Sequence, residues 1–254
     1  MSRLGPISHR LGTAAGIPQH LLGRARLVLD TIPSGSAQDC SAAGDHVIAG
    51  RTWSTLDTGA NEITADADGL IVDAPTGIIR VQIEIPLISA QSSWCVIVHI
   101  EPLVLSHQYG FYQLTMCQHA TDDTQHDQRI SARKGTSTNW RCYTGTRGSG
   151  SFSMSNKGDN PIWTDSAVPS RIQLMMYGQG PACVARIGTA ATMPGYQGVV
   201  ATSNADVTLR SGSGTSTAPV EPLYRYIRIG AKGYNASGQA KMRIRHVRAW
   251  ILGE

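Results

Sequence analysis

YRYIRIGAKGYNASGQAKMRIRHVRAWILGE, residues 224–254, is a short apolar strand, a Gly/Asn/Ser loop and a long strand closing on Val-Arg-Ala-Trp. Successive strand side chains point to opposite faces. Arg225, Ile227 and Ile229 therefore share one face of the first strand, against Tyr224, Tyr226 and Arg228. In the second strand Met242 and Ile244 share a face, but Val247, Ala249 and Ile251 sit one residue out of phase. A β-bulge near His246 restores the register, because one inserted residue flips which side chains meet the core. The stretch predicts sheet and core and leaves the ligand open.

Working outward, the same period recurs. In residues 77–85, Ile79, Val81, Ile83 and Ile85 alternate with Arg80, Gln82 and Glu84, the signature of a half-buried strand. Trp94, Val96, Val98 and Ile100 make the next inner face, with Cys95, Ile97, His99 and Glu101 opposite. Further strands are read at 26–30, 46–49, 69–73, 108–117, 128–134, 139–144, 171–178, 182–187 and 199–209. Short strands separated by turn residues argue an antiparallel two-sheet sandwich. No fixed-period repeat supports a solenoid.

The closing stretch resembles the terminal hairpin of concanavalin A-like (laminin G-like) jelly rolls: an Ile-Gly-Ala strand, a glycine-bearing turn, and a strand ending on Val-Arg and an aromatic. Residues 93–102, SWCVIVHIEP, resemble that family's aromatic-led central strand ending in proline. Residues 171–193 resemble a further strand, glycine turn and strand. The resemblance implies an all-β, antiparallel two-sheet jelly-roll sandwich over residues 25–254, with calcium bound in some members.

At 254 residues the chain can bury a full core in one domain. Aromatics at 6% and charged residues at 16% suit short strands with many turns and exclude a helical bundle. The net charge of +4 is mild, and the basic residues are dispersed apart from the last strand, which argues against nucleic acid as a partner. Five cysteines without a CxxC pair read as free thiols of a reducing compartment. No export signal is read at the N-terminus and no membrane-spanning run anywhere. Residues 1–24, rich in Gly and Pro with Arg and His between, lack any period and read as an extended anchoring arm. Residues 145–161 and 211–222 have the composition of exposed loops.

For chemistry, CQHATDDTQHD sets Cys117, His119, Asp122, Asp123, His126 and Asp127 close together, and ADADGL sets Asp66 and Asp68 on a turn. Thiolate, imidazole and carboxylate suit a divalent metal, and hard oxygens suit calcium. Neither spacing completes a metal signature, so no cofactor is expected, with calcium kept open. Strand acids are sparse, Glu84 and Glu101, and no nucleophile elbow or phosphate loop is present, so no enzyme is expected. Trp140, Tyr143, Trp163 and Tyr196 are flanked by polar residues and are the candidate sugar-stacking aromatics, core burial being the alternative. Lys241, Arg243 and Arg245 form a basic stripe that reads either as a solvated face or as a surface for acidic polysaccharide or a neighbouring subunit.

These features point to a structural virion protein of a bacteriophage or phage-like particle (capsid decoration, head-fibre or tail-associated subunit), made in the host bacterial cytoplasm. The arm would dock to other virion subunits, with the sandwich displayed outward as a homo-oligomer. The alternative is a carbohydrate-binding adhesion module for host surface polysaccharide.

Overall fold

The computed structural model describes residues 26–57, 62–89, 92–117, 128–136, 139–147, 152–156, 163–164, 166, 168–179, 182–189, 207–210, 223–234 and 238–252. The predicted arm at 1–24 lies outside them. In chain order the strands begin with β1 (Arg26–Thr31), β2 (Gln38–Asp39), β3 (Gly44–Ile48), β4 (Arg51–Thr55), β5 (Glu62–Asp66) and β6 (Gly69–Ala74). Next come β7 (Ile78–Ser89), β8 (Ser93–Leu105), β9 (Phe111–Cys117), β10 (Gln128–Thr136), β11 (Asn139–Arg147) and β12 (Phe152–Asn156). The last are β13 (Trp163–Thr164), β14 (Ile172–Gln179), β15 (Ala182–Thr189), β16 (Val207–Arg210), β17 (Leu223–Lys232) and β18 (Ala240–Leu252).

They form two sheets. The first runs β16-β15-β14-β8-β18-β6-β5-β2, with β1 along the far half of β18; the second runs β12-β11-β10-β9-β17-β7-β4-β3, with β13 on β11. Neighbours pair antiparallel throughout, as in β8 with β18 and β9 with β17. The inner faces meet in one core. The predicted inward sets of β7 and β8 are all there, none more than 3% exposed.

The predicted bulge is present. The β18–β8 ladder shifts between Ile244 and His246, so Arg245 is the extra residue, and Met242, Ile244, Val247, Ala249 and Ile251 all enter the core. A second shift, between Tyr224 and Tyr226 on β17, turns Tyr224 into the core and leaves Arg225 exposed. The expected terminal hairpin is a correction. β17 lies between β9 and β7 in the second sheet, whereas β18 lies between β8 and β6 in the first. Both edges of each strand are occupied, so the glycine-bearing loop crosses between sheets. Gly233 is needed there: a Cβ would come 2.3 Å from the Ala74 carbonyl oxygen.

Tyr112 ties the layers together. It projects from β9 into the core, and its hydroxyl donates to the carbonyls of Val104 (2.5 Å) and Lys241 (2.9 Å), on the two central strands of the opposite sheet. Burial raises its pKa far above the usual phenol value, so it remains a donor.

The outer face of the first sheet is not uniformly polar. Cys95, Ile97, Met175 and Trp250 are buried there, apart from the main core, so β8 is apolar on both faces at its start. Cys40, Cys95 and Cys117 are buried thiols that form no disulfide. Further along the same face, the His99 ring lies tilted against His246 at 5.6 Å, the Gln173 amide lies 3.1 Å from His99 Nε2, and His246 pairs with Asp30.

Burial, reinforced by Arg248, His246 and Arg171, pushes His99 down to about 3 from 6.5. Burial also lowers His246, against the opposing pull of Asp30. Between pH 6.5 and about 3 the unfolded chain therefore takes up a proton at His99 that the native chain refuses. Stability is lost as pH falls through that window, by at most about 1.4 kcal/mol per pH unit from this residue. Denaturant midpoints measured from pH 7 to pH 4 should fall less steeply for His99→Gln than for the natural chain. Equal slopes would refute the assignment.

Candidate functional site

Two loops cross between the sheets at one end of the sandwich. Residues 106–110 join β8 to β9, and residues 233–239 join β17 to β18. Because β8 pairs with β18 and β9 with β17, the crossings must lie side by side. The Ser106 N–H and hydroxyl both donate to the Gln239 carbonyl, at 3.0 and 3.1 Å. Gly238 sits hard against the first loop, where a Cβ would come 2.5 Å from the His107 Cβ. The Tyr234 N–H donates to Gly238 O at 2.6 Å, and the Tyr109 N–H to His107 Nδ1 at 3.1 Å.

This bracing assembles three rings. His107 stacks on Tyr234 at 4.7 Å and 22°, Tyr109 meets Tyr234 at 5.1 Å, and His107 meets Tyr109 at 5.5 Å. Tyr109 and Tyr234 are 41% and 36% exposed, large for aromatics held in a fixed cluster. Beside them the second sheet contributes one row of its outer face, Lys232 of β17, Phe111 of β9 and Arg133 of β10, which are direct ladder partners. The Arg133 guanidinium lies 5.2 Å from the Tyr109 ring centre, and the Lys232 ammonium 5.8 Å from that of Phe111.

Tyr109, Phe111, Arg133, Lys232 and Tyr234 line an open cleft of about 290 Å³. A larger one of about 410 Å³ lies between the sheet edges at residues 35–38 and 47–49, but its lining has no aromatic or charged side chain. Specific recognition needs convergent polar groups as well as volume, which favours the aromatic cleft.

The rows next to the cleft are polar too. One runs Arg80, Gly230, Gln113, Ser131, and the next Gln82, Arg228, Thr115, Arg129. Gln113, Thr115, Ser131 and Arg228 are fully buried, and the Gln113 amide, Thr115 hydroxyl and Ser131 hydroxyl have no hydrogen-bond partner among the described residues. Arg228 donates to Gln82 Oε1 at 3.2 Å. Buried polar groups usually find partners, so this face differs in kind from the apolar stretch on the first sheet.

The sequence-derived candidates are scattered. Trp140 is a correction as a surface residue: it is 4% exposed, in the core, 5.8 Å from Tyr112. Strand alternation explains this, since Trp140 pairs with Lys134, two residues beyond the core residue Ala132 and in phase with it. Tyr143 pairs with Ser131 and Trp163 with Trp140 in the backbone ladders. Tyr196 lies outside the described residues, as do His119, Asp122, Asp123, His126 and Asp127; Cys117 is buried in β9.

Asp66 and Asp68 are both engaged within the chain. Asp66 Oδ1 accepts the N–H groups of Asp68 (2.8 Å) and Gly69 (3.0 Å), and its Oδ2 takes Arg243 at 2.9 Å. Burial pushes the Asp66 carboxyl up, but the Asp68 N–H and Arg243 outweigh it and hold its pKa below the ordinary value. Asp68 pairs with Arg245 at 3.3 Å. The basic stripe is thereby neutralised inside the chain: Lys241 binds Asp73 (2.9 Å), Arg243 binds Asp66 and Glu101, and Arg245 binds Glu101 (2.7 Å) and Asp68. Glu84 is held by Arg225 at 2.6 Å.

Tyr109, Phe111 and Tyr234 escaped the sequence reading. A usable signal was present, since SHQYG and KGYNASG each set a tyrosine among polar and glycine residues, as around Tyr143.

No family model matches the chain, and no curated protein matches it either. Among solved structures, the CBM2 module of the evolved Dit of Lactobacillus casei BL23 phage J-1 is similar, with 9% identity, a TM-score of 0.54, and 91% of this chain and 97% of that one covered. Weaker likenesses are a glycoside hydrolase family protein from Mycobacterium thermorestibile (12% identity, TM-score 0.49, 88% and 100% covered) and the Emp46p carbohydrate recognition domain (9%, 0.47, 78% and 87%). With its two antiparallel sheets and shared core, the chain is a jelly-roll sandwich of the concanavalin A-like kind, a fold it shares with the phage J-1 module.

Proposed function

We propose that the chain is a carbohydrate-binding module of a bacteriophage or phage-like virion, holding host surface polysaccharide in the Tyr109–Tyr234 cleft. One observation carries this reading: two exposed tyrosines are fixed by a pair of crossing loops beside Phe111, Lys232 and Arg133. Sugar rings lay their apolar faces on such aromatics while charged and polar groups take the hydroxyls. The likeness to a phage carbohydrate-binding module supports both the ligand class and the virion setting.

Binding without catalysis fits the acids. Glu84 and Glu101 project from the outer faces of different sheets, and guanidinium groups engage both. Two carboxylates so placed cannot flank one glycosidic bond. In this reading residues 1–24 attach the module to other virion subunits, and copies assemble as a homo-oligomer around the particle.

The test is saturable binding of the purified chain to surface polysaccharides from a panel of bacteria, followed by affinity electrophoresis and calorimetry. At least one polysaccharide should bind and leave no new reducing ends. Failure across the panel would remove the adhesion role.

A further inference from the structure

Each aromatic of the cleft already gives part of its surface to a neighbour in the chain. His107 stacks on Tyr234 at 4.7 Å and 22°, the Arg133 guanidinium lies over the Tyr109 ring at 5.2 Å, and the Lys232 ammonium lies over Phe111 at 5.8 Å. A ligand is left with the remaining surface of Tyr109 and Tyr234, whose centres are 5.1 Å apart and whose planes are inclined at 59°. Rings so close and so tilted form a corner. A sugar lying flat on one of them has the other at its edge, so both rings act on the same sugar.

A run of sugars needs stacking rings set apart along its path, and the face of a polysaccharide crystal needs them in one plane. Among the described side chains Tyr109 and Tyr234 are the only exposed aromatics, so neither arrangement is present there. Nor does the cleft continue along the second sheet. The next row of that face, Gln113 with Ser131, is fully buried, so a sugar chain following the strands past Phe111 meets no open surface. The volume of about 290 Å³ is small beside the roughly 300–1,000 Å³ of drug-sized ligand sites.

We infer that the cleft binds one sugar unit of a hydrated polysaccharide at a time, and takes neither an extended run of sugars nor a crystalline face. Firm attachment to a cell surface then comes from several copies engaging at once, an avidity gain of about 10²–10⁴-fold.

This inference rests on the carbohydrate-binding reading, and its test separates the two. The panel polysaccharide that binds is cut by partial acid hydrolysis, and size-fractionated fragments of two, three and six sugar units are titrated into the full chain by calorimetry. Affinity should rise by less than about tenfold from two units to six, since a longer fragment offers one site only more chances to engage. Tyr109→Ala and Tyr234→Ala should each weaken the shortest and longest fragments by the same factor, about tenfold. Microcrystalline cellulose and crystalline chitin should not retain the chain. A rise of about tenfold or more with one fragment per chain, retention on either crystal, or fragment affinity indifferent to both tyrosine substitutions would overturn the single-sugar site and leave carbohydrate binding standing. Binding to no polysaccharide of the panel would overturn both.

Discussion

Tyr109→Ala combined with Tyr234→Ala lowers polysaccharide affinity by about a hundredfold, at roughly 1–2 kcal/mol for each aromatic anchor. The rings are half-open to solvent yet fixed, Tyr234 by its stack on His107 at 4.7 Å and Tyr109 by its tilted contact with Tyr234 at 5.1 Å. Their rotamers are set before the ligand arrives, so little ordering entropy is lost on binding. The same exposure makes their removal mild for folding, because neither belongs to the buried core. Affinity and thermal stability should therefore separate: a large loss in the first and a small change in the second. Comparable loss in both would mean the tyrosines are structural props for the crossing loops.

Trp94→Ala has the opposite signature. Trp94 is 1% exposed at the start of β8, with Gly178 of β14 and Ile251 of β18 as its ladder neighbours. Its ring meets Tyr224 of the other sheet edge-on, at 5.3 Å and 68°, so the pair joins the two layers. Truncation leaves a cavity and breaks that contact, costing about 3–5 kcal/mol. Against a total stability of about 5–15 kcal/mol this is a severe loss. Trp94→Phe, which keeps a ring against Tyr224, should recover much of it. Chemical denaturation measures both, and a loss under about 1 kcal/mol for the alanine variant would contradict the packing described.

What could be read from the sequence follows from which forces act locally. The inward faces of β7 and β8 were legible because one side of each strand packs on the core and the period of two is imposed on the chain. The bulge before His246 was legible for the same reason: the apolar set breaks phase there, and only an extra residue returns it to the core. Sheet membership was not legible. Nothing in residues 224–254 states that β17 and β18 have both edges taken by other strands, so a sheet crossing looks like a hairpin turn. The depth of Trp140 was hidden likewise, because polar neighbours in sequence say little about which residues of other strands, Tyr112 of β9 among them, pack against a ring.

The site was the least legible part. Its side chains come from two loops and three strands widely separated in the chain, and the pairing of β8 with β18, β9 with β17 and β10 with β9 unites them. Charge gave a false lead for the same reason. The stripe Lys241, Arg243, Arg245 is conspicuous in sequence, yet folding brings Asp66, Asp68, Asp73 and Glu101 onto it. Lys232 and Arg133 are inconspicuous in sequence and end side by side across β9.

The most direct test of the central claim is a crystal structure of the chain with an oligosaccharide from the best-binding polysaccharide. The account predicts a sugar ring against Tyr109 and Tyr234, with Lys232 and Arg133 in reach of its polar groups. A sugar seated in the cleft at residues 35–38 and 47–49, or on the outer face of the first sheet, would contradict it.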